Sequence, residues 1–250
     1  MIRSTLISLF ASLSFGSAAT AQSTQEMTEI RNQATVDIRS DRTYFLFRND
    51  APFGPALLRM PTDKEMHLYD TSRDSTKNIR NLGIIDMGKP YQKSGTTKTF
   101  LIEAMPGDYV LYGFGWQQFL YTCLCLGTVS FAGHAGEIVD LGTLLVAEAF
   151  KPSDIPELAS ATNMGPSMNG YTGTLAAAIR PASASIPLPS QLAGKTIVPA
   201  KFRATGKFIA ENALSINRLV PIPGILGYDR GEVLDLQRNS VAPDQYLVFN

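Results

Sequence analysis

The chain has 250 residues, 44% of them hydrophobic, with 22 Lys plus Arg against 22 Asp plus Glu. That apolar fraction is enough to build a core of one large or two small domains. With no basic block to neutralise phosphates and no acidic tail, nucleic acid is excluded as a partner.

The N-terminus reads as an export signal. "MIRS" gives a short positive start, "TLISLFASLSFGSAA" an apolar middle, and Ala19 and Ala21 an A-x-A end. This is the layout of a secretory signal peptide over residues 1–21, cleaved between Ala21 and Gln22. The apolar stretch is too short and too rich in Ser to span a membrane. No cysteine lies near the cleavage site to carry a lipid, and no later segment reaches membrane-spanning length. A periplasmic or secreted protein with no membrane span after cleavage is expected.

Residues 22–40 are polar and weakly helical, and are expected to be a flexible lead-in. Residues 41–150 read as a β-sandwich domain. "TYFLFRN" is the first strand, and "PALLRM" and "NLGIIDMG" are shorter ones. "TKTFLIEAM-PGD-YVLYGFGW" reads as a tight hairpin turning at Pro106-Gly107. It places Phe100, Ile102, Ala104, Tyr109 and Leu111 on one face, and Leu101, Val110, Tyr112, Phe114 and Trp116 on the other. Gly113 and Gly115 mark a bulge or a close approach of another segment. Residues 120–131 and 137–146 read as a second hairpin around "AGHAG". Short strands with regular turns and no convincing helix argue for an antiparallel β-sandwich.

Residues 151–195 are a Pro/Ser/Ala-rich connector in which only "LAAAI" resembles a helical turn. Residues 196–250 regain apolar patterning and form a long, irregular, extended C-terminal part. In "RLVPIPGILGY", Pro221 and Pro223 forbid a helix or a central strand. So many apolar residues must be buried against the sandwich or a partner. "GEVLDL" at 231–236 echoes "GEIVDL" at 136–141. The favoured account is a glycine ending a turn before a strand, not a repeat.

Both cysteines lie in "YTCLCLGTVSF", as Cys123 and Cys125. In the register of the second hairpin they share an apolar face with Val129, Phe131, Val139, Leu141 and Leu145, behaving as buried thiols. A strained disulfide and intermolecular pairing are the alternatives in an oxidising compartment. On a regular strand the two Cα atoms stand about 6.5–7 Å apart, at the upper limit for a bridge. A metal site is disfavoured. His134 is roughly 25–30 Å from Cys125 along an extended strand, and His67 is the only other histidine. No cofactor is expected.

Catalytic motifs are scarce. There is no G-x-S-x-G, no H-E-x-x-H and no calcium loop. "LAGKT" ends like a phosphate loop but lacks its first glycine. Asp86, Glu103, Asp108, Glu137 and Asp140 are the carboxylates that could pair as acid and base, although strand-end carboxylates are usually solvated charges. Trp116 reads as a core residue before it reads as a sugar platform.

"PGDYVLYGFG" followed by "CLCLGTVSFAGHAGEIVDLGTL" resembles secreted bacterial β-sandwich proteins of unknown function. The resemblance implies an envelope location and a sandwich fold, and brings no catalytic residues. The leading reading is a non-enzymatic binding or envelope-assembly module whose partner is an envelope protein or a glycan. The alternative is a glycan-directed hydrolase using a carboxylate pair. If the signal reading is right, N-terminal sequencing of exported protein should begin at Gln22. An intact Met1 on exported material would refute it.

Overall fold

The computed structural model describes residues 27–31, 35–50, 65–71, 82–116, 120–148, 154–163, 175–183, 188–208 and 215–245. The cleavage site at Ala21 and Gln22 and the "PALLRM" strand lie outside the described residues. Within them the chain is mainly β, and no α-helix occurs. No helix there is long and apolar enough to cross a membrane.

Ten strands precede residue 150. They are β1 (Met27–Ile30), β2 (Thr43–Asp50), β3 (Glu65–Asp70), β4 (Leu82–Asp86), β5 (Gln92–Ser94), β6 (Thr97–Ala104), β7 (Gly107–Trp116), β8 (Leu120–Cys123), β9 (Thr128–Gly133) and β10 (Ile138–Glu148). Seven follow: β11 (Leu175–Arg180), β12 (Ile197–Pro199), β13 (Arg203–Thr205), β14 (Ser215–Ile216), β15 (Leu226–Asp229), β16 (Glu232–Asp235) and β17 (Ser240–Val241). One seven-stranded sheet runs β1-β6-β2-β10-β11, with β5 beside β6 and β12 beside β10. A second runs β13-β9-β7-β3-β4, with β8 beside β7 and β14 beside β8. β15, β16 and β17 make a small third sheet.

Neither expected hairpin forms. β6 is flanked by β2 on one side and by β1 and β5 on the other, and β7 by β3 on one side and by β8 and β9 on the other. No edge remains for β6 and β7 to pair, so Pro106 carries the chain from one sheet to the other. Residues 134–137 make the same crossing between β9 and β10. The expected company of Phe100, Ile102, Ala104, Tyr109 and Leu111 is observed, since all five lie in one apolar cluster. They meet from two different sheets instead of along one. Phe45 and Phe47 of β2 and Val129 and Phe131 of β9 join the same cluster, with Phe45 set edge-on to Tyr109 and Phe131 at 4.8 and 5.2 Å.

Pairing is mostly antiparallel, but β2 and β12 both run parallel to β10, and β14 runs parallel to β8. The expectation of a wholly antiparallel sheet is corrected there. β2 to β10 is a long-range pairing, as a parallel pair requires, because no tight turn can join two parallel strands.

Three further expectations change. The lead-in is not all flexible: Met27–Ile30 is an edge strand on β6, and Val36 is buried. Met27 lies against Gly83 and leaves no room for a Cβ there. The connector contains structure, with a 3-10 turn at Pro156–Asn163 and another at Ser190–Leu192. "LAAAI" is strand β11, in register with Thr143–Glu148 of β10. Alanine favours helix by propensity, but Ala176, Ala177 and Ala178 are all buried, and tertiary packing overrides the preference.

The C-terminal part is not irregular, since it carries six of the strands. It packs as expected. Phe202, Ala204, Leu219, Ile222, Leu226, Val233 and Ala242 belong to the same apolar cluster as the two large sheets. Pro221 and Pro223 bracket an extended Ile222, which bridges Leu226. Gly136 and Gly231, which open the two echoing segments, have φ of +78° and +85°. The turn account of that echo therefore holds at both places. Truncation after Lys195 removes seven cluster residues, so the melting temperature should fall by several degrees or the protein should aggregate. A monomeric truncated protein with an unchanged melting curve would contradict this packing.

Candidate functional site

The two cysteines sit where a long antiparallel run is interrupted. Residues 120–133 lie along β7 in two pieces, with β8 opposite Gly113–Trp116 and β9 opposite Gly107–Val110. Between them the chain turns at residues 124–127, where Gly127 adopts a φ of +147°. On the other side of β7 the register with β3 slips between His67 and Leu68, so Tyr112 is an extra residue beside Gly113. The glycine-marked bulge is thus present.

The structure joins Cys123 and Cys125 as a disulfide with a Cα separation of 5.1 Å. The favoured reading of two unpaired thiols is corrected here. That reading assumed a continuous strand. β8 in fact ends at Cys123, and the turn brings the two Cα atoms closer than extended geometry allows. Burial is as expected, with both residues almost wholly inside. Their company is not: the turn breaks the alternation that would have placed them with Val129 and Phe131. They lie instead in a separate cluster with Tyr69, Val110, Tyr112 and Phe208, against which Ile216 packs. Tyr112 stacks on Phe208 with ring centres 5.3 Å apart. Burial first, and then Tyr69 nearby, push the Tyr112 hydroxyl far above its usual pKa. It stays neutral.

A second site includes Asp140, one of the candidate carboxylates, but its partner Arg48 was not foreseen from the sequence. Across β6, β2, β10 and β11 the register aligns Thr99, Arg48, Thr143 and Arg180 in one row. Arg48 reaches along this face to Asp140 in a two-pronged ion pair of 2.9 and 3.0 Å. Both side chains are buried, at 2% and 8% exposure. Asp140 Oδ1 also accepts the Gly142 amide at 2.8 Å. Gly142 has a φ of +81°, and the backbone leaving β11 at Arg180 leaves no space for a Cβ. At the end of the row Arg180 pairs with Glu157, Nη2 to Oε2 at 2.8 Å. That hydrogen bond holds the Glu157 carboxyl below its ordinary pKa. The sequence carries no local signal for the buried pair, because Arg48 and Asp140 are far apart along the chain and Arg48 stands beside the polar Asn49 and Asp50.

The other candidate carboxylates are mostly committed. Glu103 accepts Tyr44 Oη at 3.1 Å and faces Arg39 and Arg42. Asp86 pairs with Lys89 at 2.9 Å, and Glu137 meets His134 at 3.0 Å. Asp108 is exposed, and its backbone carbonyl accepts from Thr71. His67 and Trp116 lie on β3 and β7. Among the described residues no three His, Cys, Asp or Glu side chains converge to hold a metal ion. In "LAGKT" a single 3-10 turn ends at Leu192 and no helix follows, so no helix N-terminus faces a phosphate. A cavity of about 20 Å³ lies between the large sheets, lined by apolar residues that include Phe47, Leu68, Leu111, Phe131 and Phe202. It is the size of about one water and offers no polar partner, so it stays dry.

The chain matches no protein-family model, no curated protein and no solved structure.

Removing the charge of Asp140 while keeping its shape tests the buried pair. Asp140→Asn leaves Arg48 buried and uncompensated, an expected loss of about 3–5 kcal/mol, or roughly 10 °C in melting temperature. The double variant Arg48→Met/Asp140→Leu should recover most of that loss. Equal melting temperatures for Asp140→Asn and the parent would show that the pair contributes nothing.

Proposed function

We propose that this chain is an exported β-sandwich module that acts outside the cytoplasm by binding or assembling through its surface, without catalysis. The observation that carries the reading is the buried Cys123–Cys125 disulfide. Such bonds persist in oxidising compartments and are rare in the cytosol. The signal-like N-terminus points the same way. The sandwich reading is supported by one apolar cluster fed by both large sheets. The non-catalytic reading is supported by the commitment of Glu103, Asp140, Asp86 and Glu137 to Arg, Lys or His partners. A glycoside hydrolase needs one carboxyl held protonated and a second poised across an open cleft.

The test uses the full-length gene product with its own N-terminus. Cell fractionation should recover it outside the cytoplasm, with its mass lower than that of the reduced form by two hydrogens. Incubation with envelope polysaccharides should leave the glycans unchanged in mass, while the protein co-sediments with an envelope fraction. Recovery in the cytosol with free thiols would overturn export. Release of glycan fragments would replace the binder with the hydrolase.

A further inference from the structure

The Cys123–Cys125 turn is also the surface on which the C-terminal part of the chain is hung. The Asn217 amide donates to the Cys123 carbonyl at 2.7 Å, and the Phe208 amide to the Cys125 carbonyl at 3.0 Å. The Leu126 amide returns a bond to Asn217 at 3.0 Å, and the Leu219 amide donates to the Gly127 carbonyl at 2.9 Å. β14 pairs in parallel with Thr122 and Cys123. Tyr228 closes over Gly127, where its ring leaves no room for a Cβ, and its hydroxyl donates to the Leu219 carbonyl at 2.7 Å. The docking carbonyls of Cys125 and Gly127 lie in the turn, and that of Cys123 lies at the end of β8 where the turn begins. In turn, Phe208 and Ile216 pack in the cluster that buries the two sulfurs.

A strand running straight through Cys123 and Cys125 would separate their Cα atoms by about 6.5–7 Å. The bridge holds them at 5.1 Å. We propose that oxidation of Cys123 and Cys125 builds the docking surface for residues 207–208 and 215–219, and that the docked segments then seal the bond against reductants. This coupling lies within one molecule and holds wherever the protein resides. In the oxidation, one cysteine thiolate attacks the disulfide of a thiol–disulfide oxidant. That breaks the oxidant's S–S bond and forms a mixed disulfide. The second cysteine, losing its proton, displaces the oxidant's sulfur. The chain gains one S–S bond, and the oxidant leaves as a dithiol carrying the two electrons and two protons.

The experiment uses the chain from Gln22 to Asn250. In the oxidised parent, dithiothreitol without denaturant should leave the bond intact, as read by alkylation and mass. In Cys123→Ala/Cys125→Ala, trypsin should cut after Lys207 and Arg218 about 10-fold faster than in the parent. Amides of β2, β6 and β10 should keep their hydrogen-exchange protection. Equal cleavage rates would show that docking does not need the bond. Should that variant not fold, Phe208→Ala in the oxidised chain tests the converse. It should speed reduction by dithiothreitol about 10-fold, and an unchanged rate would overturn the sealing.

Discussion

One ion pair sets the terms for the sheet that holds β2 and β10. Arg48 and Asp140 are distant in the sequence and meet at the centre of the sheet, where β2 and β10 run parallel. Two charges taken out of water must find each other, because either alone would cost several kcal/mol. A slip of one residue in the β2–β10 register would turn one of them towards the apolar cluster of Phe45 and Phe47. The same carboxylate holds the Gly142 amide and so shapes the bulge at which the register shifts. That bulge changes which β10 residues face inward, so Leu141 and Leu144 both reach the core while Thr143 does not. Through it the outgoing end of β11 passes close over Gly142, and β11 and β12 find separate places beside β10. Polar chemistry in an apolar setting specifies the arrangement more than it adds to its stability.

The second large sheet is organised differently. Its irregularity is the turn at residues 124–127, and its local constraint is covalent. The disulfide lies on the opposite side of this sheet from the shared core, among Tyr69, Val110 and Tyr112. Neither device presents a reactive group to solvent. The Asp140 carboxylate is held by Arg48 and by the Gly142 amide, and the sulfurs are enclosed.

The strands were legible in the sequence because their patterning is local. "TYFLFRN" and "TKTFLIEA" are aromatic or β-branched runs bounded by polar residues. The turns at Gly136 and Gly231 were legible because positive φ favours glycine. The partners of each strand were not legible. Alternation states that a strand has two faces but not which strand lies beside it, so Pro106 looked like a hairpin and is a crossing between sheets. Cys123 and Cys125 were placed in the main core by counting parity through a segment that turns. The Arg48–Asp140 pair was invisible for the same reason: opposite charges far apart along the chain carry no local mark. "LAAAI" misled because small residues suit both a helix and a strand packed on two faces.

Parallel pairing between β2 and β10 also has a consequence in time. A chain synthesised from its N-terminus delivers β2 well before β10. Until Ile138–Glu148 emerges, β2 has only β6 beside it, with a bare hydrogen-bonding edge and a buried-type arginine that has no counter-charge. Contacts so distant in sequence form slowly, and an unpaired apolar edge invites association with other chains. The nascent protein is therefore most vulnerable in the interval between those two strands, when crowding by its own copies matters more than the stability of the finished fold.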